Sequence, residues 1–231
     1  MKKKIYFILI SLFILILLIS LYLYKYKNSA YSLENIKNIL KSQDYIYTNI
    51  HLIVSNFDLR ANNTTTVDTY IKDNLSYSIS YNNKNEKISE IFFNKETLKR
   101  ISVLYPEKTI ITDTYNHTYS FNPTSSFFDT LDNNDYVTYK YHGKEKINNK
   151  NCLKISLTVE LSDYAYKYYY YIDEKDNTIA KIENCNGNSI NTLTKSSETT
   201  YTYIYDVVTD NDILHFDTSN YPEFNYIQSL E

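Results

Sequence analysis

From Leu153 to Leu161 the sequence alternates without an error. Leu153, Ile155, Leu157, Val159 and Leu161 fall on one face, and Lys154, Ser156, Thr158 and Glu160 on the other. A period of two with one apolar face is the signature of a half-buried β-strand. Tyr164 to Ile172 follows as a strand made mostly of tyrosine, and Thr178 to Glu183 as another after a polar turn. The stretch Tyr141–Asn184 therefore predicts three consecutive antiparallel strands.

Their register follows from the side chains. A two-residue turn at Ser162-Asp163 pairs Leu161 with Tyr164 and puts Tyr166, Tyr168, Tyr170 and Ile172 on the aliphatic face. An odd-length turn would put Lys167 there instead, because a one-residue slip moves every side chain to the other face. In the next connection, Lys175-Asp176-Asn177, Asn177 takes the left-handed position that Asn tolerates. Ile172 then pairs with Ala180 and Tyr170 with Ile182. Cys152 and Cys185 fall at opposite ends of the three strands, which predicts that they form no disulfide.

The chain begins with Lys2, Lys3 and Lys4, then runs from Ile5 to Tyr24 without a charge. Twenty such residues at about 1.5 Å each match a hydrocarbon core of about 30 Å. A cleaved signal peptide is disfavoured, since the best small-residue site, Ala30 with Asn28 before it, is poor. A lipoprotein needs a cysteine just after the apolar run, and none occurs before Cys152. The expectation is a single-pass anchor over residues 1–28 with its N-terminus cytoplasmic, and an extracytoplasmic domain over 29–231.

About 200 residues suffice for one domain with a real core. The chain has 24 basic residues, five of them lysines within residues 1–28, against 27 acidic residues, none there, so residues 29–231 carry a net charge of −8. Such a surface repels nucleic acid and anionic headgroups. Only two glycines accompany 27 tyrosines.

Residues 32–42 predict a short helix, with Ser32 as N-cap and Leu33, Ile36, Ile39 and Leu40 on one face. Ile46 to Ser55 reads as the first strand, and further strands are predicted at 67–72, 75–81, 87–93, 99–105 and 109–115. Asn122-Pro123 opens a second short helix that carries Phe127, Phe128 and Leu131. Tyr201–Val208 is another alternating strand.

This order of elements resembles the periplasmic lipoprotein carriers (LolA-like). The resemblance rests on Gly143 and Ile147 before the aliphatic strand, the aromatic strand ending Tyr171-Ile172-Asp173, Thr178 to Ile182, and Asp212-Ile213 through Phe216 and Pro222. It implies an α+β fold: a strongly curved antiparallel β half-barrel covered by short helices, here preceded by one transmembrane helix. By architecture the chain looks most like clostridial sporulation and germination proteins of that fold, which are thought to partner a cell-wall amidase. It departs from the carriers in lacking a lipobox cysteine, in having only Arg60 and Arg100 as arginines, and in an anchor that would prevent shuttling.

Catalytic patterns do not emerge. His51, His117, His142 and His215 are scattered without ligand spacing, and the aspartates cluster at predicted turns. Asp210-Asn211-Asp212 hints at calcium but lacks the glycine and distal glutamate of an EF-hand. No Walker, HExxH or Gly-x-Ser-x-Gly pattern occurs. The expectation is a protein that is not an enzyme, with no cofactor and no metal. Tyr169 and Tyr171, on the face opposite the aliphatic row and beside Lys167, are expected to be exposed and to contact an envelope protein. Alternatively the apolar face, made by Leu153, Ile155, Leu157, Val159, Tyr166, Tyr168 and Tyr170, holds a lipid or acyl chain.

Overall fold

The computed structural model of the chain describes residues 12–20, 31–41, 48–114, 124–132 and 136–228. Twelve strands form one sheet: β1 (Asn49–Asp58), β2 (Asn63–Lys72), β3 (Leu75–Tyr81), β4 (Lys87–Asn94), β5 (Lys99–Leu104), β6 (Thr109–Thr114), β7 (Val137–Ile147), β8 (Lys150–Glu160), β9 (Ala165–Asp173), β10 (Ile179–Gly187), β11 (Thr194–Tyr205) and β12 (Asn225–Gln228). Their order is β12-β6-β5-β4-β3-β2-β1-β11-β10-β9-β8-β7. Two antiparallel meanders, β1–β6 and β7–β11, are joined where Leu52 of β1 lies opposite Tyr203 of β11. Two short helices, α1 (Leu33–Lys41) and α2 (Ser125–Asp132), accompany the sheet.

This corrects the expected half-barrel under a cover of helices with a membrane span in front. The molecule is essentially one open sheet, since β12 and β7 lie at opposite ends of the order and do not meet. Nor is it wholly antiparallel: β12 returns to pair parallel with β6, Tyr226 opposite Ile110. Among the described residues the helices that pack on the sheet, α1 and α2, cover one region of it. The anchor is corrected as well, and with it the cytoplasmic N-terminus and extracytoplasmic domain inferred from it. Only residues 12–20 of Ile5–Tyr24 are described; they are helical, and the remainder lies outside the described residues. Among the described residues no helix is long and apolar enough to cross a membrane.

Hairpin chemistry explains how so long a meander closes with two glycines. Among the described residues nine non-glycine positions have positive φ, and seven of them are Asn or Asp. Their short side chains make the left-handed conformation cheap. Asn148 and Asn149, both left-handed, make the two-residue turn that pairs Ile147 with Lys150. Such a primed turn matches the twist of the flanking strands. Asn177 is left-handed too, as the β9–β10 loop requires.

The predicted β8–β9 register is found. Ile155 pairs with Tyr170 and Leu157 with Tyr168, and the Leu161 N–H donates to the Tyr164 carbonyl across the Ser162-Asp163 turn. Ile182 pairs with Tyr170 as expected, but a bulge between Ile179 and Lys181 puts Ile179, not Ala180, opposite Ile172. The helix predicted at 32–42 is α1, and the Asn35 N–H donates to the Ser32 hydroxyl at 3.4 Å. The proposed cap Asn122-Pro123 of α2 lies outside the described residues.

Each end of the sheet is covered on a different face. At β8–β10, Ile36 and Leu40 of α1 and Phe127 of α2 pack on Leu153, Ile155, Leu157, Tyr170, Ile172 and Ile182. This core continues through Tyr201 to Ile50, Leu52 and Tyr203. At β3–β6 the opposite face is covered by the chain after β11. This C-terminal strap, residues 206–224, lays Phe216, Tyr221 and Phe224 over Phe92, Ile101, Val103 and Ile110. Glu90 sits at its centre, 3% exposed. One carboxylate oxygen accepts from Tyr77 (2.8 Å) and Lys87 (2.6 Å), the other from Tyr105 (3.0 Å) and Tyr221. Burial alone would raise the Glu90 pKa, but the bonds from Lys87, Tyr221 and Tyr77 outweigh it and hold the group below its ordinary value.

This architecture makes two testable predictions. Cys152 pairs with Asp173 and Cys185 with Lys167, six residues apart on β9 and hence roughly 20 Å at about 3.4 Å per residue. A disulfide tolerates about 7 Å between Cα atoms, and burial pushes the Cys152 thiol up to about 11. A non-reducing digest of monomer should contain no bridged peptide. For Glu90, charge-assisted hydrogen bonds are worth about 1.5–3 kcal/mol, so Glu90→Gln should lower unfolding stability near pH 7 by about 2 kcal/mol. A depressed carboxylate stabilises above its unfolded value, about 4.5 here, and that contribution is lost as pH falls through the lower folded value. Denaturation midpoints taken from pH 6 downward should therefore fall more steeply for the wild type than for Glu90→Gln. Parallel curves would show that Glu90 contributes no such linkage.

Candidate functional site

β9 reads Ala-Tyr-Lys-Tyr-Tyr-Tyr-Tyr-Ile-Asp, and its pleat sorts these residues onto two unlike faces. On the helix-bearing face Leu153, Ile155, Leu157, Val159 and Tyr170 are buried. Phe127 meets Tyr170 edge-on at 5.3 Å between ring centroids, a favourable aromatic geometry. From there a ladder of rings leaves the core: Tyr170 to Tyr168 at 6.2 Å, Tyr168 to Tyr166 at 5.5 Å, Tyr166 to Tyr164 at 6.1 Å. Tyr170 is fully buried, Tyr166 and Tyr168 are half-buried, and Tyr164 is 42% exposed. Beside the outer rung stands Leu161, 54% exposed. These residues are neighbours because Val159 pairs with Tyr166.

The opposite face is built from charge and hydroxyl groups. Tyr171, expected to be exposed, is buried at 1% exposure, among Ile147, Cys152 and Ala180. The ammonium groups of Lys154 and Lys181 lie over its ring at 5.0 and 5.3 Å, and its hydroxyl donates to Glu183 at 2.9 Å. Two cations over the ring and a carboxylate on its hydroxyl account for the difference. Tyr169 is half-buried, with the Lys167 ammonium 4.8 Å above its ring. Burial raises the Glu183 pKa, but hydrogen bonds from Lys181, Lys195 and Tyr171 bring it down to about 2. This carboxylate is already fully engaged.

One residue gains significance only from the register. Exposed His142 on β7 lies with its Nε2 2.8 Å from the Ser156 hydroxyl and its ring 5.3 Å from Tyr169. Its pKa is lowered by burial first and then by Lys167, Lys140 and Lys154, three cations from three adjacent strands. The signal that could have placed it is Asn148-Asn149, whose turn fixes β7 on β8.

The remaining candidates resolve into local structure. His51 approaches Asp68 at 3.3 Å and stacks on Tyr70. Asp212 accepts from the Thr209 backbone N–H and hydroxyl, and Asp210 pairs with Lys72. His215 is exposed, and His117 lies outside the described residues. Among the described residues no group of three His, Cys, Asp or Glu side chains could hold a metal ion. A cleft of about 260 Å³ opens between Phe92, Phe93, Ile101 and the strap residues Ile213 and Phe216. It falls below the ~300–1,000 Å³ of small-molecule sites.

No protein-family model matches the sequence, and no curated protein matches it either. Solved structures do share the fold. An uncharacterized conserved protein from Thermus thermophilus matches with a TM-score of 0.52 at 8% identity, over 85% of this chain and 98% of its own. MucB of Pseudomonas aeruginosa, in its complex with MucA, matches with a TM-score of 0.50 at 6% identity over 79% of this chain. This chain spans only 60% of that one's length. A putative outer membrane lipoprotein-sorting protein domain from Vibrio parahaemolyticus also matches, at 9% identity over 77% of this chain and 94% of its own, but its TM-score of 0.32 supports nothing further. At these identities the likeness is one of fold alone.

Proposed function

We propose that this is a non-catalytic binding domain that holds a protein partner at the β7–β9 end of its sheet. The observation that carries the reading is the tyrosine ladder, which runs from Tyr170 under α2 to Tyr164 in the open, flanked by Leu161. Amphipathic rings with a firmly packed root are what protein interfaces favour, since they bury much area at little entropic cost. MucB, which shares the fold, is known in complex with the protein MucA, and a protein partner for this chain is the corresponding reading. The resemblance to clostridial proteins implies an envelope partner, with a cell-wall hydrolase of sporulation or germination as the specific instance. A lipid carrier needs room over the apolar face. Here Ile36, Leu40 and Phe127 pack in one core with Ile155, Leu157 and Ile172, so an acyl chain laid on that face would have to displace them. Lipid binding would require α1 and α2 to leave.

The test is to capture partners from cell extract on the immobilised chain, identifying proteins and lipids by mass spectrometry, and to repeat it with Tyr164→Ala/Tyr166→Ala. Interface hot spots cost about 2 kcal/mol or more each on truncation, and every ~1.4 kcal/mol is tenfold. The double change should weaken a specific complex at least about a hundredfold with little loss of stability. Tyr171→Ala should instead destabilise the fold itself by about 3–5 kcal/mol, the usual cost of emptying a buried aromatic site. Stoichiometric lipid without any protein, or capture indifferent to the ladder, would overturn the reading.

A further inference from the structure

β7 ends the described sheet, so one side of it pairs with β8 and the other presents backbone donors and acceptors without a described neighbour. From Val137 to Tyr141 it keeps unbroken register with β8, before the bulge at Gly143. Along this segment two chemistries alternate. Val137, Tyr139 and Tyr141 face the helix-bearing side, with Tyr141 stacked on Tyr31 at 4.4 Å. Thr138, Lys140 and His142 are exposed toward the other side, where Lys154 and Lys167 also stand.

That second side is cationic within an acidic domain. Residues 29–231 carry a net charge of −8, yet the charged groups bearing on His142 are Lys167, Lys140 and Lys154. Among the described residues no carboxylate lies within 4 Å of the ammonium of Lys140 or Lys167, whereas Lys154 is held by Glu145 at 2.9 Å. Nearby Glu183 is committed to Lys181, Lys195 and Tyr171.

We propose that the free edge of β7 takes up an extended segment of the partner in which acidic and apolar residues alternate, adding one strand to the sheet. The inference rests on the protein-partner reading and gives it a chemistry. Strand addition draws affinity from main-chain hydrogen bonds and specificity from alternate side chains. An acidic residue placed opposite Lys140 or His142 lies about 4.5–5.5 Å away between Cβ atoms, and its neighbours in sequence fall beside Tyr139 and Tyr141. A second copy of this chain is the poorer occupant, because it would bring lysine to lysine, and like charges directly opposite destabilise a sheet.

The probe is a ten-residue synthetic peptide of alternating Glu and Val. Its control has the same composition with the residues in pairs, so that the phase is broken. Binding to the full chain is measured at low and high salt, and hydrogen exchange reads which amides become protected. The alternating peptide should protect residues 137–141, bind at least about tenfold tighter than the control, and raise the His142 pKa on binding. Lys140→Glu/Lys167→Glu, exposed or half-exposed changes that leave the core intact, should weaken it at least about tenfold. Equal binding of the two peptides, or protection anywhere but β7, overturns the proposal. If the Tyr164→Ala/Tyr166→Ala change abolishes partner capture while β7 gains no protection, the partner reading stands and the edge inference alone falls.

Discussion

The pairing of Ile155 with Tyr170 is the constraint on which the rest of the molecule depends. Because side chains in a strand alternate, that one pair decides which face every residue of β8 and β9 takes. Slipped by one residue, Lys167 would enter the core beneath α1 and α2, and the tyrosine ladder would exchange places with the lysines. The cost of burying an unpaired ammonium is several kcal/mol, far above the roughly 0.2–1 kcal/mol that a single cross-strand pair contributes. The two-residue turns at Ser162-Asp163 and Asn148-Asn149 then only need to agree with it.

Twelve strands present more area than two short helices can cover, and the chain meets this by switching sides. The helices take one face at β8–β10 and the C-terminal strap takes the other at β3–β6. The strap brings hydroxyls as well as rings, so a glutamate can sit inside the apolar layer with all its acceptor sites filled. The lysine-rich face of β8–β11 solves the same difficulty differently, by holding the Lys154 and Lys181 ammonium groups over the Tyr171 ring and tying the first to Glu145 and the second to Glu183 and Glu198. In both places the carboxylates are spoken for, which directs attention to the aromatic end of the sheet instead.

Much of this is legible from residues. Perfect alternation from Leu153 together with the penalty on Lys167 gives the β8–β9 register, and Ser32 with Ile36 and Leu40 gives α1. What escapes depends on partners distant in the chain. Nothing near Glu90 announces Tyr221, and nothing in Asn225–Gln228 announces a parallel return to β6. Tyr171 reads as exposed because alternation tells which face a side chain takes, not what else lies across that face. The apolar N-terminal run meets the length criterion for a span, yet among the described residues no helix is long and apolar enough to cross a membrane. His142 looks isolated in the sequence because its companions come from three strands, and only their mutual alignment brings them together.

The seam between the two meanders has a kinetic meaning. Each meander is made of hairpins whose contacts are local, so each can assemble as soon as its own strands exist. The β1–β11 pair is different: joining Ile50 to Tyr205 closes a loop through most of the molecule. Such closure costs chain entropy before any contact repays it, and topologies dominated by distant pairings fold slowly. During synthesis β1 must therefore wait, its inward edge bare, until β11 has emerged. The central strand of the finished sheet is the longest-exposed edge of the nascent one.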